Sequence, residues 1–232
     1  MKTIGLIGGM SWESTIPYYR LINEAVKARL GGLHSAKLVL HSVDFHEIEQ
    51  LQRSGDWDAA GEVLARAAQG VQAAGAELLL IGANTMHRVA PAVEAAVAIP
   101  LLHVADVTAA AVKAAGLDTV GLLGTRFTME QAFYTQRLQQ HGLTVLLPGP
   151  DERALVHRVI YEELCRGQLL ASSRAAYREV IAALVARGAQ GIILGCTEIA
   201  LLVDASDASV PLFDTTRIHA QAAVEWALAA AD

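Results

Sequence analysis

The sequence predicts an α/β protein of two pseudo-symmetric lobes, each a mostly parallel four-stranded sheet flanked by helices, with the active site in the cleft between them. Three observations predict it. Short apolar runs rich in Ile, Leu and Val end at glycine and alternate with segments of helical periodicity, the pattern of strands covered on both faces by crossover helices. The pattern restarts near the middle of the chain: Thr119-Val120-Gly121-Leu122-Leu123-Gly124-Thr125 matches Thr3-Ile4-Gly5-Leu6-Ile7-Gly8-Gly9 almost position for position. The spacings repeat as well, with Gly5 to Ala83 separated by 78 residues and Gly121 to Cys196 by 75.

Residues 3–8 predict the first strand, Met10 to Thr15 a polar turn, and Ile16 to Leu30 a helix. The second strand is 37–43, and Asp44 through Arg53 lead to a helix over 57–74. Glu77 to Ile81 is the third strand and ends at Gly82-Ala83-Asn84-Thr85-Met86-His87; a helical stretch, Val89 to Val97, precedes a fourth strand, Ile99 to Val104. After a helix from Asp106 to Ala115 come the strands 119–125, Leu143 to Leu147, 189–195 and Val210 to Phe213, with a helical pattern over Val156 to Leu164. The match of 189–195 to 77–82, and of Val210-Pro211 to Ile99-Pro100, completes the duplication. The expected lobes are 1–105 and 106–215, with a helix in 216–232, drawn as Arg217 to Ala231, packing back on them.

Composition excludes several classes. At 232 residues and 53% hydrophobic, the chain can bury one large core or two modest ones. A net charge of -6 with dispersed Lys and Arg argues against a nucleic-acid partner. No apolar run reaches spanning length, so no membrane is expected, and the run after Lys2 breaks at Gly8-Gly9 before it could serve as a signal peptide. Two cysteines without metal-ligand spacing suggest neither a disulfide framework nor a metal site, and fit the cytoplasm. Gly5, Gly8 and Gly9 lack the spacing of a dinucleotide loop, and no other cofactor motif appears. A homo-oligomer is possible through alanine-rich helix faces such as 217–231.

The chemistry gathers at strand ends, where open α/β sheets bind ligands. Ile192-Ile193-Leu194-Gly195 runs straight into Cys196-Thr197-Glu198, which makes Cys196 the first candidate for a reactive group; the plainer alternative is an inert core thiol. A helix N-terminus nearby would lower its pKa toward the thiolate. Cys165, in the helical pattern, reads as packed and protected. Asn84, Thr85 and Thr197 stand at helix starts and suit carboxylate recognition, or serve simply as N-caps; Thr125, Met10 and Ser11 occupy comparable strand ends. Gln52 and Arg53 follow the second strand and could hold a side-chain carboxylate, or sit on a solvated helix start. Glu198 could orient the thiol or bind an ammonium group. His87 is a site residue or a satisfied structural histidine, and His219 and Asp214 could merely fasten the final helix.

IGLIGGMSWEST, NTMH after the third strand, GTRFTMEQAFY, EELCRG, GCTEIALL and PLFDTTRIHA occur in this order along the whole chain. With these segments the chain resembles the aspartate/glutamate racemase family, and within it the bacterial broad-specificity amino-acid racemases. The resemblance implies a small-molecule amino-acid substrate, no cofactor, and two proton-transfer residues, one per lobe, working on opposite faces of the α-carbon. The second-lobe cysteine falls on Cys196. Its first-lobe partner, a cysteine in most members and a threonine in some, falls on Ala83, whose methyl group can neither give nor take a proton. Three functions follow: a racemase-type enzyme impaired by Ala83, a single-cysteine decarboxylase of activated dicarboxylic acids, or a non-catalytic amino-acid-binding protein.

Overall fold

β1 (Ile4–Gly8) is buried at every residue and pairs in parallel with a strand on each side. Its partners are β2 (Leu38–Ser42), in register from Ile4↔Leu38 to Gly8↔Ser42, and β3 (Leu78–Ile81), from Ile4↔Leu78 to Ile7↔Ile81. The computed structural model describes residues 1–229, and among these the first sheet has the order β2-β1-β3. The expected fourth strand, Ile99 to Val104, contracts to a single parallel bridge between Leu79 and Leu101. Leu79 N donates to the Pro100 carbonyl and Leu102 N to the Leu79 carbonyl. Pro100 has no N–H to extend the ladder, and a helix begins at Val104.

Alternation along the strands divides the core between two faces. Ile4, Leu6, Leu78 and Leu80 pack with Tyr18, Leu21, Ile22 and Val26 of α1 (Trp12–Leu30), and with Ala220, Ala223, Val224 and Ala227 of the chain's final helix. Ile7, Leu79 and Ile81 pack on the other face against Leu64, Ala67, Ala68 and Val71 of α3 (Trp57–Ala73), which follows α2 (Phe45–Ser54). α4 (Ala90–Ala96) completes this part of the chain. The alanine face of the final helix is therefore core, which corrects its reading as a surface for another copy. α1 begins four residues before the expected Ile16: the hydroxyls of Ser14 and Thr15 donate back to the Ser11 carbonyl, so the polar stretch is the helix's first turn.

The second sheet is all parallel with order β5-β4-β6-β7, from β4 (Thr119–Gly124), β5 (Thr144–Leu146), β6 (Gly191–Gly195) and β7 (Leu212–Asp214). The helices between are α5 (Val104–Ala114), α6 (Arg126–Glu130), α7 (Ala132–Gln140), α8 (Pro150–Glu162), α9 (Ala171–Ala186) and α10 (Ile199–Leu202), and α11 (Thr215–Leu228) follows β7. The repeated glycines have one physical cause. A Cβ on Gly5 would stand 2.3 Å from Val71 of α3, and one on Gly121 would stand 2.9 Å from Leu184 of α9, so in each sheet the central strand lets a helix press on bare backbone.

The chain divides into two compact units. One is Met1–Val104 together with the chain from His219 onward, and the other is the uninterrupted Ala105–Ile218. α11 thus starts in the second unit and ends in the first. The last residues of the expected helix, 230–231, lie outside the described residues. Among the described residues no helix is long and apolar enough to cross a membrane.

Candidate active site

In the first unit the chemistry-bearing residues lie where β1 and β3 end side by side. Gly82 N donates to the Ile7 carbonyl, and the chain then turns through Ala83 and Asn84 into a 3-10 turn, Thr85–Val89. Ala83, Asn84 and Thr85 are buried, and Met10, Ala83 and Met86 share one apolar cluster. Asn84 and Ser11 hold N-cap positions, yet neither side chain makes a capping hydrogen bond. Gln52 is brought to the same place from α2, buried, with Nε2 3.0 Å from Met86 Sδ. Arg53 is not. It lies in the last turn of α2 rather than at a helix start, largely exposed, 3.8 Å from Glu49 one turn back.

His87 is a structural group in this arrangement. Nδ1 lies 2.8 Å from the Ala83 carbonyl, which can only accept, and Nε2 accepts from Val104 N at 3.3 Å. Both contacts call for the neutral ring with its proton on Nδ1. His219 is equally committed: Nε2 donates to the Leu102 carbonyl at 2.8 Å, and Nδ1 accepts from Tyr18 Oη at 2.9 Å. Burial pushes its pKa down to about 3. Asp214 caps α11 through Thr216 N and Arg217 N, while burial pushes its carboxyl up. These two residues fasten the final helix.

In the second unit β4 and β6 are neighbours in register, Gly124↔Gly195, so Thr125 and Cys196 leave adjacent strands at the same edge. Thr125 is an N-cap: its Oγ1 accepts from Thr128 N at 3.2 Å. At the end of β6 the sequence neighbours Cys196, Thr197 and Glu198 form one hydrogen-bonded group. The Cys196 thiol donates to Glu198 Oε2 at 3.0 Å and the Thr197 hydroxyl donates to the same oxygen at 2.8 Å. Glu198 is 1% exposed and Cys196 8%, so this carboxylate exchanges water for protein donors.

The electrostatics overturn one expectation. Burial pushes the Cys196 thiol well above its usual pKa, and the Glu198 charge pushes it the same way, so a lowering by a helix N-terminus does not prevail. Both effects hold the Cys196 thiol in its protonated form, donating to the carboxylate 3.0 Å away.

Cys165 was expected to be packed and protected on the face of a helix. It sits instead in a 3-10 turn, Leu164–Arg166, just past α8, half-buried, with Sγ 3.8 Å from Glu198 Oε1. The turn takes it off the stripe of Val156, Val159 and Ile160 that α8 buries. Its proximity to Glu198 across 33 residues leaves no trace in sequence periodicity. Among the described residues no group of three or more His, Cys, Asp or Glu is placed to hold a metal ion.

The model of the Asp/Glu/hydantoin racemases matches residues 7–223. Among solved structures, a candidate Asp/Glu racemase from Yersinia pestis is 61% identical with a TM-score of 0.91, the match covering 99% of this chain and 100% of that one. An aspartate racemase homologue from Pyrococcus horikoshii OT3 is 35% identical with a TM-score of 0.84, covering 98% and 99%. The broad-specificity amino-acid racemase RacX of Bacillus subtilis (strain 168) is 21% identical over 97% of this chain and 98% of its own length. The two parallel sheets with their flanking helices are the two-domain fold of these proteins.

Proposed function

Because this chain belongs to the Asp/Glu/hydantoin racemase family, we propose that it acts at the α-carbon of an acidic amino acid such as aspartate or glutamate, without pyridoxal phosphate or a metal. Cys196 is the proton-transfer residue in this reading. The observation that carries it is the hydrogen bond from the Cys196 thiol to a buried carboxylate, 3.0 Å long, at the carboxyl end of a central strand.

Glu198 takes the thiol proton, leaving a thiolate beside a neutral acid. The thiolate removes the α-proton from one face of the bound amino acid, and charge moves onto the substrate carboxylate. The backbone N–H of Thr197, at the same strand end as the thiolate, is the donor this reading gives to that charge, and Asn84 and Thr85 are its candidates for carboxylate contact. The Thr197 hydroxyl is already given to Glu198 and serves the base. Met10, Ser11, Gln52 and Thr125 are the remaining candidates for substrate contact.

The opposite face is the duty of position 83, and Ala83 has no proton to offer. The enzyme so read exchanges the α-proton of one enantiomer with solvent and inverts it slowly, since losing a positioned acid or base typically lowers a rate by about 10²- to 10⁴-fold. The test is proton NMR of L- and D-aspartate and glutamate in D₂O. Exchange confined to one enantiomer supports the reading, and Ala83→Cys or Ala83→Thr is expected to restore inversion by a similar factor. Rapid inversion of both enantiomers by the unaltered chain, or no exchange from either, refutes it.

Ala83 also favours a second reading, decarboxylation of an activated dicarboxylic acid, in which Cys196 only protonates the carbanion left by CO₂. Release of CO₂ from a 2-arylmalonate, with no exchange from the amino acids, selects it.

A further inference from the structure

Glu198 faces two thiols with two different oxygens. Cys196 Sγ donates to Oε2 at 3.0 Å and Cys165 Sγ donates to Oε1 at 3.8 Å. Cys196 and Glu198 are buried, whereas Cys165 is half-buried in the turn that packs against α10. The three groups therefore run from the reactive sulfur, through one carboxylate, to a residue that is partly exposed.

We infer that Glu198 and Cys165 form a proton path connecting Cys196 to solvent, with Cys165 as a positioning residue that acts through Glu198. The inference rests on the reading of Cys196 as the proton-transfer residue. A thiol that collects an α-proton in a buried site must pass it on before it can deliver a solvent proton in its place.

Each step is a proton transfer that balances. Cys196 S–H gives its proton to Glu198 Oε2, forming the thiolate and the neutral acid. The neutral carboxyl turns about its Cγ–Cδ bond, which brings the oxygen that carries the proton beside Cys165; Cys165 S–H passes its own proton to water and, as the thiolate, takes the one that Glu198 carries. The sum is one proton moved from Cys196 to water, with Glu198 again a carboxylate and Cys165 again a thiol. Running the steps backwards delivers a solvent proton to Cys196. Transfer from thiol to carboxylate runs uphill, since an ordinary thiol has a pKa of about 8.5 and an ordinary Glu about 4.3, so the thiolate is transient, and no other reactant enters.

The experiment compares the unaltered chain with Cys165→Ala and Cys165→Ser, following loss of the α-proton of aspartate and glutamate into D₂O at saturating substrate. Substrate affinity is measured by calorimetry and thermal stability by melting. The path predicts that Cys165→Ala slows exchange by about a hundredfold at unchanged affinity, at the low end of what a positioned proton-transfer group contributes. Cys165→Ser recovers most of the rate, because a hydroxyl both gives and takes a proton at the same place. A packing role predicts instead that both variants lose rate together with melting temperature. That result, or a Cys165→Ala variant that exchanges as fast as the unaltered chain, overturns the path alone. An unaltered chain that exchanges nothing refutes the parent reading and the path with it.

Discussion

His219 makes the stability of the first unit depend on pH, and the size of the effect follows from its surroundings. The ring is fully buried, holds Tyr18 and the Leu102 carbonyl through its two nitrogens, and has its pKa pushed down to about 3 from the ordinary 6.5. A histidine that resists protonation when folded but accepts it when unfolded leaves the unfolded chain with one more proton between those values. Stability is then complete above pH about 6.5 and is lost as pH falls. At pH 5 the folded ring is still neutral, so the loss is set by protonation of the unfolded chain: about 2 kcal/mol between pH 7 and pH 5, from 1.36 kcal/mol per pH unit below 6.5. Urea unfolding at the two pH values measures it. His219→Gln is expected to start less stable at pH 7, because Tyr18 and Leu102 lose a partner at about 1–3 kcal/mol, and then to lose about 2 kcal/mol less on going to pH 5. Other titrating groups act in both proteins and cancel in the comparison. Equal losses for the two proteins would refute the reasoning.

Three further outcomes follow from the geometry. Iodoacetamide should label Cys165 before Cys196, since the first is half-buried and the second is buried with its thiol pKa pushed up; peptide mapping by mass spectrometry showing Cys196 labelled first would contradict this. Gly121→Ala should destabilise by about 1–3 kcal/mol, since its methyl would lie 2.7 Å from Ile192 and 2.9 Å from Leu184, and an unchanged urea midpoint would show that α9 yields freely. Arg53→Ala should change stability by no more than about 0.5 kcal/mol and leave KM alone, because Arg53 is exposed in a loose pair with Glu49. A KM for aspartate or glutamate raised tenfold or more would restore Arg53 as a carboxylate holder.

What was legible in the sequence is what repeats. The glycine inside each central strand, the apolar runs and the polar strand ends recur because the same packing problem, a helix pressed on a parallel strand, is solved twice. The place of Cys196 was legible for the same reason, directly after a strand that runs out at Gly195. Pairwise side-chain geometry was not. Glu198 could have turned toward a ligand, and only the fold shows it turned back to accept from Cys196, Thr197 and Cys165. The direction of the thiol's pKa followed from its burial first and from that turn second, since both disfavour the thiolate. The weak fourth strand of the first sheet was misjudged because Ile99 to Val104 is apolar enough for a strand, while Pro100 and the early start of α5 decide how much of it can pair.

The return of α11 to the first unit bears on how the chain is made. Ala220, Ala223, Val224 and Ala227 fill the face that α1 and the even-numbered residues of β1 present, and Lys2 N donates to the Ala227 carbonyl. During synthesis the first 104 residues emerge with that face open, and nothing made before the last few dozen residues can close it. The second unit is one uninterrupted stretch and has its whole sequence available sooner. On a ribosome, where N-terminal domains ordinarily fold first, this arrangement reverses the order: the half that is translated first is finished last, and a nascent chain arrested short of α11 should show protease resistance in Ala105–Ile218 before it shows any in Met1–Val104.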